Sequence, residues 1–227
     1  NRTMVEDSDH IKSGIEILKK FVQTKEYIIG IEANKPEAIS HLTEVFKDDP
    51  SVIVKTLESV YPQGAKQVLL WNATGKVVAA GQRLASLGVI ITNVTTLAKM
   101  ALYFETGMPL IEKCVTVDGS AVKEPKNIIV PIGTSFEYCL LSCGGFKEEP
   151  RKVIEGGPMM GRTVPDLNES VVKATNGIVA MGEKEAILAE PTPCIHCGKC
   201  VEACPLNLNP VAFAKALNME DEDEKEA

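Results

Sequence analysis

The sequence predicts an α/β layer with largely parallel strands, then a small α+β unit, then a cysteine-rich segment. Three observations carry this. Between Ser8 and Gly107, short apolar runs alternate with stretches of helical periodicity, the pattern of strands joined through helices. From about Lys113 the texture changes to two strand-like runs, a short helix and a third strand. Finally, four of the seven cysteines fall between 194 and 204.

Each element of the layer has a local cause. Ser8 or Asp9 can cap a helix whose inner face is Ile11, Ile15, Leu18 and Val22. Tyr27 to Ile31 is a short apolar run and reads as a buried strand. Asn34-Lys35-Pro36-Glu37 opens a second helix with proline in its first turn, where the missing N–H costs nothing. Ile39, Leu42, Val45 and Phe46 form its inner face. Val52 to Val54 is a second strand, Gly64 to Ala73 a helix ending near Gly75, and Val89 to Ile91 a third strand. Val94 to Glu105 is a helix stopped by Gly107. Ligands of such layers sit at the carboxyl ends of the strands. The candidate positions are Glu32 to Lys35, Tyr61 to Lys66 and Asn93 to Thr96.

In the second region, Cys114 to Val117 precedes Asp118-Gly119, a hairpin signal, and Asn127 to Val130 is its partner strand. Ser135 can cap a helix from Phe136 to Ser142 that ends at Gly144-Gly145. Lys152 to Ile154 is a third strand. Gly156-Gly157-Pro158-Met159-Met160-Gly161 demands a special backbone path. A structural loop is the favoured reading and a cofactor cradle the alternative. Ser170 to Val179 reads as extended, and Leu206 to Leu217 as short and partly helical.

Composition narrows the class. The net charge is −7, but Glu220 to Glu226 carries six acids and one lysine, so the body is nearly neutral and the acidity is a solvated tail. No basic stripe is present, which argues against nucleic acid. No apolar run approaches the ~20 residues needed to span a bilayer. Cys114, Cys139 and Cys143 lie in apolar surroundings and read as small buried hydrophobes. His10, His41 and His196 are scattered and suggest no catalytic triad; no G-x-G-x-x-G or Walker loop is present.

Cys194, Cys197, Cys200 and Cys204, followed by Pro205, read C-x2-C-x2-C-x3-C-P. That is the ligand run of bacterial iron–sulfur proteins. Closely spaced thiolates on a tight loop can wrap the corners of a [4Fe–4S] cluster, and Gly198 lets backbone amides approach the sulfurs. Zinc and a disulfide framework are the bland alternatives; zinc sites more often show two separated C-x2-C pairs. In two-cluster ferredoxins the fourth cysteine of a run ligates the other cluster. Cys204 therefore completes this cluster or serves a second one. The run also argues for a reducing compartment, and Pro205 is expected to turn the chain away.

Together, Ile29-Gly30-Ile31-Glu32-Ala33-Asn34-Lys35-Pro36, the Tyr61-Pro62-Gln63-Gly64 turn, the Gly156 to Gly161 loop and Pro193-Cys194-Ile195-His196-Cys197 resemble the C subunit of the Rnf ion-translocating electron-transport complex. The resemblance implies three domains and a tail. Residues 1–110 would be part of a flavin and NADH α/β domain like that of the NADH-binding flavoprotein subunit of respiratory complex I. Residues 111–168 would be a soluble-ligand-binding β-grasp (SLBB) domain, and 169–218 a linker and the start of a ferredoxin-like segment. The tail is 219–227. In the complex I relative an Asn-Asn-Val-Glu-Thr stretch contacts FMN. Here the matching stretch is Thr92-Asn93-Val94-Thr95-Thr96, so Asn93 and Thr96 carry over and the acidic position is Thr95. The relative's Cys-Gly-Glu-Glu turn becomes Gln63-Gly64-Ala65-Lys66, so Gly64 carries over and the carboxylates do not.

The family's glycine-rich flavin loop, its Cys-Glu-Pro stretch and its second cysteine run have no counterpart in this sequence, which therefore resembles the middle of a longer protein. The implied cofactors are a [4Fe–4S] cluster, FMN and NADH. The implied partners are other subunits of a membrane complex and ferredoxin, with the protein peripheral on the cytoplasmic side of the bacterial inner membrane. Two other readings stay open: a cobalamin reductase of bacterial microcompartments, and a partner-docking scaffold with a structural cluster.

Overall fold

The computed structural model describes residues 1–22, 24–79, 81–187, 190, 192–204 and 206–217. Pro205 and the acidic tail lie outside the described residues. The chain forms two units, Asn1–Ile187 and Leu188–Ala227.

The first part of the larger unit is the expected α/β layer. Helices α1 (Arg2–Glu6) and α2 (Ser8–Phe21) lead to strand β1 (Tyr27–Glu32), helix α3 (Pro36–Val45) and strand β2 (Val52–Leu57). Helices α4 (Lys66–Thr74) and α5 (Val94–Thr106) follow. Strands β1 and β2 are parallel, in register from Tyr27 beside Val52 to Glu32 beside Leu57. The parallel pairing needs a crossover, which α3 supplies. Ile11, Ile15, Ile31 and Leu42 are buried, with Leu97 and Ala98 of α5 completing the core. Gly14 is where α2 and α5 meet: a Cβ there would stand 2.7 Å from Leu97 Cγ.

Two expectations change. The first helix begins at Arg2, and the cap of α2 is Asp7 rather than Ser8 or Asp9. The backbone of Asp7, at φ −126° and ψ 27°, breaks what would otherwise be one helix. Val89 to Ile91 is not a strand; among the described residues this sheet has β1 and β2. The chain turns there through a 3-10 turn, Leu84–Leu87, and the Val89 N–H donates to Leu84 O at 3.4 Å instead of joining a ladder. Ile90 is consequently exposed.

The second part is a five-stranded sheet with one helix. Its strands are β3 (Glu112–Asp118), β4 (Lys126–Pro131), β5 (Lys152–Glu155), β6 (Arg162–Thr163) and β7 (Gly177–Met181), ordered β4-β3-β7-β5-β6. Strand β7 runs parallel to β3 and antiparallel to β5. The stretch expected to be an extended linker thus supplies the central strand, and the sheet runs on past residue 168. Helix α6 (Phe136–Ser142) covers one face, with Phe136 and Leu140 buried against Val115, Val117 and Ile178. Ser135 caps it as expected, its Oγ accepting from the Tyr138 N–H at 3.2 Å. Cys139 and Cys143 are fully buried, and burial pushes the Cys139 thiol up to about 11. Cys114, expected to be buried, is exposed. Strand alternation explains this: Val115 and Val117 take the inward positions, which leaves Cys114 and Thr116 outward.

A short helix, α7 (Glu183–Ala186), follows β7; the second unit contains α8 (Lys199–Glu202) and α9 (Pro210–Leu217). No helix among the described residues is long and apolar enough to cross a membrane.

Candidate functional site

The carboxyl ends of β1 and β2 open into a cleft of about 490 Å³. Its wall is the loop from Ser59 to Ala65, with Glu32 at the end of β1 and Met160 from the glycine-rich loop of the second domain. Both strand ends are fixed by hydrogen bonds. The Ala33 N–H donates to Leu57 O at 2.8 Å, and the Asn34 N–H to Ser59 Oγ at 3.0 Å. The Tyr61–Pro62 peptide is cis, and turns bonded from Gln63 N to Val60 O and from Ala65 N to Pro62 O, each 2.8 Å, lead into α4. Glu32 accepts from Lys35 Nζ, which offsets its charge at the rim.

Gln63 is the unusual residue of this wall. It is 3% exposed, and its Oε1 accepts from Asn72 Nδ2 at 2.8 Å. Its Nε2 is buried and finds no partner among the described residues. An unpaired buried amide donor costs about 1–3 kcal/mol. Gly64 beside it has nothing within 4 Å of a built Cβ, so this side of the wall is open. An open glycine on a cleft with apolar walls leaves room for a ring-bearing cofactor against the backbone.

Asn93 and Thr96 stand in a different place. Asn93 is the N-cap of α5, with Oδ1 accepting from the Thr95 N–H at 2.9 Å, and Thr96 is exposed in the first turn. Neither lines the cleft with Gly64. Ser59 is a cleft residue that the sequence pattern does not single out, and Met160 belongs to the loop for which a structural role is the favoured reading and a cofactor cradle the alternative. Met160 carries only a weak signal: an apolar pair, Met159-Met160, at the tip of a loop made of glycine and proline. A smaller cavity, about 180 Å³, lies where α5 leads into β3, lined by Lys99, Leu102 and Met108 to Glu112.

In the second unit the cysteine run forms a loop entering α8. Cys194, Cys197 and Cys200 are exposed and Cys204 is half-buried. His196 and Gly198 both adopt left-handed backbone, at φ 56° and 75°. The His196 N–H donates to Cys194 Sγ at 3.4 Å and the Leu208 N–H to Cys204 Sγ at 3.5 Å. Amide-to-sulfur bonds of this kind tune the potential of iron–sulfur clusters. Among the described residues, no three Cys, His, Asp or Glu side chains stand close enough together to hold a metal ion. The donor set itself, four thiols in one C-x2-C-x2-C-x3-C run with amides turned toward two of the sulfurs, has the chemistry of an iron–sulfur ligand set.

Comparison with known proteins agrees with this layout. Residues 1–102 match the family model of the Nuo51 FMN-binding domain, and residues 114–163 that of the SLBB domain. The C subunit of the proton-translocating ferredoxin:NAD(+) oxidoreductase complex of Clostridium ljungdahlii is 41% identical over 209 residues, which is 92% of this chain and 46% of that protein. The C subunit of the Na(+)-translocating complex of Acetobacterium woodii is 39% identical over 212 residues, 93% of this chain and 48% of that protein. The C subunit of the ion-translocating oxidoreductase complex of Rhodobacter capsulatus is 37% identical over 222 residues, 97% and 43% respectively. The chain thus spans less than half the length of these curated relatives. It is a homologue of the C subunits of ion-translocating ferredoxin:NAD oxidoreductase complexes, a Nuo51-type FMN-binding domain followed by an SLBB domain.

Proposed function

We propose that this chain relays electrons between NADH and ferredoxin-type carriers, as a peripheral subunit on the cytoplasmic side of a membrane complex that translocates ions. The observation that carries this is one polypeptide holding both a cleft on a Nuo51-type layer and a four-thiol run. When bound, FMN accepts a hydride from NADH and passes electrons on singly, and a [4Fe–4S] cluster carries them one at a time.

The chain's own residues bind, orient and tune. Gly64 lets a ligand approach the backbone of the 59–65 loop, which Gln63 anchors through its hydrogen bond with Asn72. Asn93 and Thr96 mark the N-terminus of α5, where amide groups favour an anionic group such as a phosphate. Cys194, Cys197 and Cys200 would hold a cluster through their thiolates, with Cys204 completing it or serving a neighbouring one. The amide-to-sulfur bonds at Cys194 and Cys204 would spread thiolate charge in a bound cluster and so raise its potential.

The test is an anaerobic NADH titration of the natural polypeptide, followed at the flavin absorption band. NADH should bleach the band, and Cys200→Ser should leave that bleaching intact while stopping reduction of an added ferredoxin. If NADH leaves a bound flavin oxidised, the reading is wrong. A cluster that stays in one redox state across the physiological range would instead make the segment a scaffold.

A further inference from the structure

We infer that the Gly156 to Gly161 hairpin tip is a wall of the flavin cleft, and that Met160 makes apolar contact with the flavin ring. This rests on the flavin reading above and adds to it a residue from the SLBB domain.

The tip is held rigid. It joins β5 to β6, whose pairing ends at Glu155 beside Arg162. Arg162 donates to Glu155 at 2.7 Å and to Glu169 at 2.5 Å, and Glu155 also accepts from Thr175 Oγ1 at 2.5 Å. The Gly161 N–H closes the turn onto Gly157 O at 2.7 Å, and the Gly156 N–H ties the other leg to Gly177 O at 2.8 Å. Glycine is required at both ends. Gly156 sits at φ +97°, and a Cβ on Gly161 would collide with Ile154 Cγ2 and stand 2.6 Å from Glu155 O. These constraints narrow the path the loop can take.

Those side chains are apolar and face outward. Met159 is 71% exposed and Met160 83%. Packing within the SLBB core does not account for them, since neither belongs to its buried cluster. Yet Met160 lines the cleft together with the loop that carries Tyr61, Gln63 and Gly64. The cleft therefore combines an apolar thioether from one domain with the open backbone at Gly64 from the other. A planar heteroaromatic ring can lie between the two. Thioether sulfur contacts aromatic rings favourably, and an unbranched side chain adapts to the ring surface. Covering the ring also removes water from one face of it.

The experiment is an FMN titration of the natural polypeptide, read by quenching of flavin fluorescence. Met160→Ala should weaken FMN binding by about tenfold, and Met160→Leu, which keeps the apolar bulk, should stay within about twofold. Met159→Ala, which changes the same tip away from the cleft wall, should also stay within about twofold. Both methionines are exposed, so the variants fold. Tight FMN binding by the wild type with no change in Met160→Ala overturns this inference and leaves the flavin reading standing. If the wild type itself binds no FMN, the flavin reading fails and this inference fails with it.

Discussion

The two units of the chain are held together by different forces. Residues 1–187 contain two apolar clusters, one around Ile11, Ile31 and Leu42, the other around Phe136, Val115 and Ile178. In the second unit no described residue is buried; Ile195 is 85% exposed, and Leu206, Leu208 and Phe213 are also exposed. Burial of side chains such as Phe136 contributes about 1.5–3 kcal/mol each, so the first unit carries its own reason to fold. The second has short helices, exposed apolar side chains and four thiols. Short helices are marginal in water without packing. The binding energy of a ligated cluster can supply what packing does not, since ligation and folding are then one event.

This contrast can be broken in several ways. The largest effect should be on proteolysis. Anaerobic loading with iron and sulfide should slow cleavage within 190–217 by tenfold or more, and leave cleavage within 1–187 unchanged; mass mapping of the fragments decides it. Equal rates with and without loading would mean the segment is held by something else.

The next effect compares core with loop. Phe136→Ala should destabilise the larger unit by about 3–5 kcal/mol, through lost burial and the cavity left behind. Ile195→Ala, in the cysteine loop, should change thermal stability by less than about 0.5 kcal/mol. Ser135→Ala removes the cap of α6 and should cost about 1 kcal/mol in a denaturant titration.

The smallest effect is a dependence on pH. His10 bridges α2 to α5, with Nδ1 on Asp7 and Nε2 3.3 Å from Glu105. The hydrogen bond with Asp7 raises its pKa above the ordinary imidazole value, with Glu105 adding to the rise. A raised folded-state pKa gives stability that is complete below the ordinary value and fades as pH rises through the raised one. The melting-temperature difference between wild type and His10→Gln should therefore shrink from mildly acidic to mildly alkaline conditions. A difference that grows with pH would reverse the assignment.

Much of the fold is legible in the sequence because its signals are local. Pro36 and Ser135 mark helix starts, Gly75 and Gly107 mark helix stops, and each stands in the structure where its chemistry requires. What the sequence hides depends on distant partners. Val89 to Ile91 has the composition of a strand but, among the described residues, pairs with neither β1 nor β2. Strand β7 sits between β3 and β5, a placement that no local pattern reveals. The site divides the same way. The cysteine run is recognisable from spacing alone, and Gly64 from its turn. Met160 joins the cleft only because two domains meet there, and Asn93 is not among the cleft's lining residues, its side chain capping α5 instead.

The most direct test of cluster binding is the optical and EPR spectrum of the natural polypeptide after anaerobic reconstitution, with iron and sulfide counted. About four irons and four sulfides are expected for this run, with an EPR signal that grows in on reduction. Persistent binding of Zn²⁺ by Cys194, Cys197, Cys200 and Cys204, with no sulfide taken up after oxygen-free loading, would contradict it.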